Sequence, residues 1–246
     1  MRYLPIAILF LIIACKPAKK ELTAQQIIDK TIKYSGADKV ANSEISFTFR
    51  GINYAAVRND GSFKLFRNYK TDSTTVDEVL TNIGYEKYVN AQSVQVSDTM
   101  ISKYSNSINS VHYFSVLPFG LNDKAVRKKL LKPSTVNGKG YHKIEITFTE
   151  DGGGEDFEDV FIYWIGKDDF LIDYLAYAYH TNGGGKRFRV LKEQCVKNGI
   201  RFVDYHNYKP LNKNIKLINI DKAFEENQLE KVSEIVLKDI NVTILK

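Results

Sequence analysis

The chain has 246 residues, 43% of them hydrophobic and 26% charged, with 35 basic and 29 acidic side chains for a formal net charge of +6. That length accommodates one large β domain or two small ones. Lysine and arginine are interspersed with acidic residues along the chain, which excludes the concentrated basic patch that non-specific nucleic-acid binding requires.

Arg2 is followed by an uninterrupted apolar stretch from Leu4 to Ala14. A short charged start, an apolar core and a small residue before the cut make a secretory signal. A membrane span needs about 20 apolar residues, and Lys16, Lys19 and Lys20 end this run too soon. The tetrad Ile12-Ile13-Ala14-Cys15 resembles the lipobox of bacterial lipoproteins. That resemblance implies diacylglycerylation of the Cys15 thiol, cleavage before it and acylation of the new amine. Residues 1–14 are then a signal peptide, 15–22 a lipidated tether and 23–246 a single domain. The tether lysines either contact anionic headgroups, at about 1 kcal/mol per charge, or form a solvated linker. The one remaining cysteine, Cys195, leaves an exported domain without an internal disulfide. Its apolar strand neighbours predict a buried, inert thiol.

Thr23-Ala24-Gln25-Gln26 reads as a capping box opening a helix. Ile27, Ile28 and Ile32 share one face of it, and Gly36 is placed to end it. From Ser43 to Arg50 the pattern changes to period two, with Ile45, Phe47 and Phe49 on one side. The same alternation returns at Ile144, Ile146 and Phe148, and both segments read as half-buried antiparallel strands. Asp60-Gly61, Asn137-Gly138, Asn182-Gly183 and Asn198-Gly199 tolerate the positive φ that two-residue hairpin turns demand. A turn at Asn198-Gly199 pairs Cys195 with Phe202. A second helix runs from Asp98 to about Tyr113, with Ile101, Tyr104, Ile108 and Val111 at helical spacing. It leads into the apolar Leu117-Pro118-Phe119-Gly120-Leu121 segment. A third short helix is predicted over Asp221 to Glu230 and a last strand over Ile235 to Leu245. These elements make a long, curved antiparallel sheet with inserted helices rather than a parallel α/β fold.

Motifs for chemistry are sparse. Gly152-Gly153-Gly154 and Gly183-Gly184-Gly185 are each followed by a strand and lack the Gly-Lys-Ser/Thr ending. A phosphate loop needs a helix amino terminus instead, so these read as hairpin loops. Glu150, Asp151, Glu155, Asp156, Glu158 and Asp159 offer the hard oxygens that calcium takes. Their spacing does not fit an EF-hand loop and matches a solvated strand edge. His112, His142, His180 and His206 lack the two-His helical spacing of zincins. No Gly-x-Ser-x-Gly nucleophile elbow occurs. No catalytic residue, metal or cofactor is therefore assigned.

The segment from Tyr163 to Pro210 carries Tyr163-Trp164-Ile165, Arg187-Phe188-Arg189 and Arg201-Phe202-Val203-Asp204-Tyr205. With the lipobox, these strings resemble a family of uncharacterised Gram-negative envelope lipoproteins. The layout of that family is similar to the half-open barrel of the lipoprotein carriers and receptors (LolA/LolB-like). The resemblance implies a mainly β (α+β) fold: a curved antiparallel half-open barrel with an amino-terminal helix and inserted plug helices. It also implies an apolar cavity between sheet and helices. Ile45, Phe47, Phe49, Phe63, Leu65, Ile101, Tyr104, Ile108, Leu117 and Phe119 are the candidates to line it, with the Pro-Gly-containing segment as a gate. The expected function is a non-enzymatic lipoprotein that binds a lipid or other apolar ligand. Its anchor would hold it to the outer membrane facing the periplasm, with surface display left open, because the resemblance makes an Asp after the Cys the inner-membrane signal and Lys16 stands there. Two alternatives stay open. One is an envelope lipid- or glycan-acting enzyme using a polar cluster of Arg187, Arg189, Arg201 and Asp204, or His206. The other is an assembly protein whose sheet binds another envelope protein.

Overall fold

The computed structural model describes residues 21–151, 157–180 and 183–245. The signal stretch, Cys15, the Gly152–Gly154 run, Glu155, Asp156 and the Asn182 half of one predicted turn lie outside the described residues. Helix α1 (Ala24–Ser35) opens on the expected capping box: Thr23 Oγ1 accepts from the Gln26 amide at 3.2 Å, and Gln26 Oε1 accepts from the Thr23 amide at 3.0 Å. Gly36 ends the helix in the left-handed region at φ +69°. A 3-10 segment (Ala37–Asn42) then leads into the first strand.

Fourteen strands follow among the described residues, divided between two open antiparallel sheets of seven. The first sheet contains β1 (Ser43–Phe49), β2 (Ile52–Asn59), β3 (Ser62–Thr71), β4 (Thr74–Thr81), β5 (Gly84–Val89) and β6 (Gln92–Ser93) as a meander. Helix α2 (Asp98–Ser115) carries the chain to the second sheet. That sheet contains β7 (Val126–Val136), β8 (Lys139–Phe148), β9 (Val160–Gly166), β10 (Ile172–Tyr179), β11 (Gly185–Lys197) and β12 (Ile200–Pro210). Helix α3 (Ile220–Glu225) precedes β13 (Leu229–Ile235), which pairs with β12, and β14 (Lys238–Ile244), which returns to β1. Only Val236 and Leu237 separate β13 from β14, so the chain crosses between sheets there. This is the half-open, mainly β architecture with an amino-terminal helix that the sequence implied.

Three of the four predicted turns fall fully on described residues, and all three take positive φ at both positions, as in Asn198 (φ 46°) and Gly199 (φ 79°). Cys195 pairs with Phe202 as expected. Its thiol is exposed rather than buried, because β10 pairs with β11 only as far as Val190 and the rest of β11 overruns its neighbour. The third helix stops at Glu225, short of the predicted Glu230, and Leu229 already begins a strand.

The second sheet is covered on both faces. Along β9, Phe161, Tyr163 and Ile165 join α1's Ile27 and Ile28 on one side, while Ile162 and Trp164 face α3 on the other. A buried ion pair holds that outer cover: Lys143 Nζ reaches both Asp221 carboxylate oxygens at 3.0 Å and donates to the Ile218 carbonyl. Trp164 Nε1 donates to the same carboxylate at 3.0 Å. The charges are thus fully hydrogen-bonded, the condition under which a buried pair is tolerated.

The sheets meet where the β11–β12 turn reaches the end of α1. A Cβ at Gly36 would lie 1.8 Å from the Gly199 carbonyl oxygen, and Asn198 Nδ2 donates to the Val242 carbonyl at 2.6 Å. Gly36→Ala combines that clash with a left-handed backbone, and is expected to cost more than about 2 kcal/mol. Urea unfolding of the variant checks this; a change within error would show that the junction tolerates separation.

Candidate functional site

The rear half of α2, the inner face of the second sheet and the β1–β2 turn border an open cavity of about 520 Å³. Its wall is built by register. Tyr177 on β10 lies opposite Arg187 on β11, and Leu175 lies opposite Arg189. Arg189 in turn lies opposite Asn207 on β12, so strand alternation sends these side chains to one face. Phe148, Phe161, Val203 and Tyr205 extend the same wall, while Asn106, Asn109, Ser110, Tyr113 and Phe114 supply the helix side.

Aromatic rings dominate the interior. Phe114 packs on Phe161 and Tyr177 with centroids 6.0 and 5.5 Å apart, and Phe161 stacks on Tyr177 at 5.6 Å. Arg189 is buried against them, its guanidinium carbon 3.9 Å from the Phe114 centroid and 5.3 Å from that of Tyr177. Arg187 lies 5.3 Å over Tyr179. Burial pushes the Tyr113 and Tyr205 hydroxyls up to about 12, so both are neutral donors at physiological pH.

Helix α2 is docked on the first sheet by polar contacts as well as by the apolar Ile108. Arg67 Nη1 donates to Ser107 Oγ at 2.8 Å, while its Nε pairs with the fully buried Glu78 at 2.5 Å. Tyr85 donates to the other Glu78 oxygen at 2.6 Å. His112 Nε2 lies 3.1 Å from the Phe66 carbonyl; a carbonyl only accepts, so this nitrogen carries the hydrogen. The ring sits edge-on to Phe47 and Tyr54.

The structure divides the sequence candidates. Phe49 lines the cavity. Ile45 and Phe47 belong to a core with Val116, Ile200 and Phe202, and Phe119 packs at its edge. Phe63, Leu65 and Ile108 form a separate cluster beneath α2. Tyr104 stacks on Tyr85, Ile101 is half-buried, and Leu117 is buried with Leu121 in the α1 core. The cavity is therefore walled by α2 rather than by the Leu117–Leu121 segment. Of the polar cluster, Arg187 and Arg189 face the cavity. Arg201 instead donates to Gln194 and the Ile172 carbonyl, with Asp173 at 3.5 Å. Asp204 accepts from the Leu237 amide at 2.9 Å and so fastens the crossover between sheets. His206 Nδ1 lies 3.3 Å from Glu234 Oε1, outside the cavity lining. Among the described residues, no His, Cys, Asp and Glu group could hold a metal ion, and no helix is long and apolar enough to cross a membrane.

Sequence reasoning missed Phe114, Phe161, Tyr205, Asn106 and Asn109. The period-two pairs Phe161/Tyr163 and Tyr177/Tyr179 were the available signal, but only strand register assigns them to one wall.

Residues 6–236 match the model of the Family of unknown function (DUF6503). The chain belongs to that family. No curated protein matches it. Among solved structures, it is similar to a LolA superfamily protein from Nitrosomonas europaea at 11% identity, covering 92% of this chain and 94% of that one, with a TM-score of 0.48. A putative outer membrane lipoprotein-sorting protein domain from Vibrio parahaemolyticus shares 9% identity, with 89% and 93% covered and a TM-score of 0.47. A DUF1329 family protein from Desulfovibrio piger shares 11%, with 89% and 92% covered and a TM-score of 0.43.

Burial drives His112 down to about 3, with a smaller contribution from the Arg58 charge. Against an unfolded value near 6.5, the unfolded chain binds the extra proton as pH falls from 6.5 toward 3. Stability should therefore drop on acidification, by up to ~1.4 kcal/mol per pH unit from this group. His112→Gln keeps an amide donor for Phe66 and is expected to flatten that slope. Urea melts of both proteins at several pH values check it; equal slopes would refute the assignment.

Proposed function

We propose that the protein is a lipid-anchored envelope protein that holds a lipid or other apolar ligand between α2 and the second sheet. The observation that carries this reading is the 520 Å³ cavity lined by Phe114, Phe148, Phe161 and Tyr177. Its volume falls within the roughly 300–1,000 Å³ of small-molecule sites, and such sites combine aromatic walls with a few polar groups. The Cys15 anchor and the outer-membrane, periplasm-facing location are part of the same proposal. They rest on the apolar Leu4–Ala14 stretch, on Ala14-Cys15 and on Lys16 after the cysteine. Two or three acyl chains hold a protein on a bilayer where one is marginal.

The geometry favours binding over catalysis as the main activity. The enzyme alternative needs acids and bases converging on the concavity, whereas Arg201 and Asp204 are engaged in holding strands and the crossover. The assembly alternative needs an open outer face, and α3 covers the centre of that face on the second sheet.

Cys15→Ser is expected to abolish lipidation and release the protein from membranes, as read by fractionation and intact mass. A Ser variant that is processed and sediments like the wild type would overturn the anchor. For the cavity, the full chain carrying Cys15→Ser should bind a fluorescent fatty-acid probe. Ser110→Trp, which places an indole at the helix side of the cavity, should weaken that binding without lowering thermal stability. Failure of any apolar probe to bind would remove the carrier reading.

A further inference from the structure

Resting on the lipid-binding reading, we propose that the ligand is an anionic amphiphile, its phosphate or carboxylate held by Arg187 and Arg189 and its tail lying on the aromatic wall. Arg187-Phe188-Arg189 is one turn of strand alternation. Phe188 enters the core under α3, and both arginines emerge on the cavity face. Residues two apart on a strand are separated by about 6.6–6.8 Å, which lets two guanidiniums converge on one headgroup.

Among the described residues, the arginines are poorly matched by counter-charges. Among the described residues no ion pair within 4.0 Å engages Arg50, Arg187 or Arg189. Arg189 is only 8% exposed, and its Nε has no hydrogen-bond partner. Its Nη2 donates to Tyr177 Oη at 3.3 Å, and Arg187 Nη1 donates to the Lys186 carbonyl at 2.9 Å. The aromatic faces above Arg189 recover part of its desolvation through cation–π attraction, but supply no counter-charge. Among the described residues the lining holds Arg50, Arg187 and Arg189 and the carboxylate of Asp159, which His180 approaches at 3.5 Å.

A guanidinium offers planar, paired donors that fit phosphate and carboxylate oxygens. The tail is required by the remaining wall: Phe114, Phe148 and Phe161 leave free inorganic anion no reason to prefer this site over solvent. Arg189 thus binds at the boundary, one side on rings and the other toward the headgroup.

The full chain carrying Cys15→Ser is titrated with oleate, with oleoyl lysophosphatidic acid and with neutral monoolein, and separately with inorganic phosphate. Both anionic lipids are expected to bind roughly tenfold tighter than monoolein, a preference that charge-assisted pairing with two arginines readily supplies, and added salt should reduce it. Arg187→Gln with Arg189→Gln should abolish the preference, so that the anionic lipids bind that variant no tighter than monoolein binds the same variant. Arg187→Gln alone, at a half-buried position, should remove part of the preference and serves as the folding-safe variant. Equal binding of all three lipids, or a preference that survives both substitutions, overturns the anionic headgroup while leaving the apolar cavity intact. Inorganic phosphate competing as well as its lipid overturns the amphiphile. Binding of none overturns this inference together with the reading beneath it.

Discussion

A cavity between two open sheets exists only if the sheets are held at a fixed separation, and the backbone contact of Gly36 with Gly199 does this. The α1 carboxyl end and the β11–β12 turn are brought so close that no side chain fits between them. Around that point Ile200 and Phe202 join Val40, Ile45 and Phe47 in one core, so the second sheet's longest hairpin plugs into the first. Asn198 adds a hydrogen bond to β14, and Asp204 fixes the crossover at Leu237. A half-open barrel lacks the continuous ladder that would otherwise set its shape, and these contacts take the place of the missing hydrogen bonds.

Helix α2 has two unlike jobs, and its sequence reflects both. Toward the first sheet it presents Ser107, Ile108 and His112, with Ile108 its one fully buried large apolar side chain. Toward the cavity it presents Asn106, Asn109, Ser110 and Phe114. A helix held by a cluster of Arg67, Glu78 and Tyr85 hydrogen bonds is positioned by direction, not only by apolar area. Such a network is stable when each member is satisfied and costly when one is removed. That places the cavity's roof under control of residues lying on the opposite side of the helix.

Much of the local structure was legible because it depends on neighbours in sequence. The Thr23 capping box, the Gly36 terminator and the Asn-Gly and Asp-Gly turns follow from residues within a few positions of one another. Period two marked β1 and β8 for the same reason. Long-range features were less legible. Cys195 alternates like a buried residue, yet exposure depends on where β10 begins rather than on anything near residue 195. Ile45, Phe47 and Leu65 have the apolar pattern of a cavity floor, and α2 turns them into packed core. The aromatic wall is assembled from β8 to β12, so its members become neighbours only through register.

The Arg201-Phe202-Val203-Asp204-Tyr205 string illustrates why a cluster in sequence is not a site. Alternation divides it: Val203 and Tyr205 reach the cavity, while Phe202 locks the hairpin into the other sheet. Arg201 spends its hydrogen bonds on Gln194 and Ile172. Asp204, on the opposite parity from Val203, caps the chain's crossing. Arg187 and Arg189 share a parity and a face, and both line the cavity. Two charges two residues apart on a strand share a face, whereas a mixed run distributes its members among wall, core and crossover. The charge in the cavity therefore comes from the shorter string, and the longer one supplies the scaffold that keeps it in place.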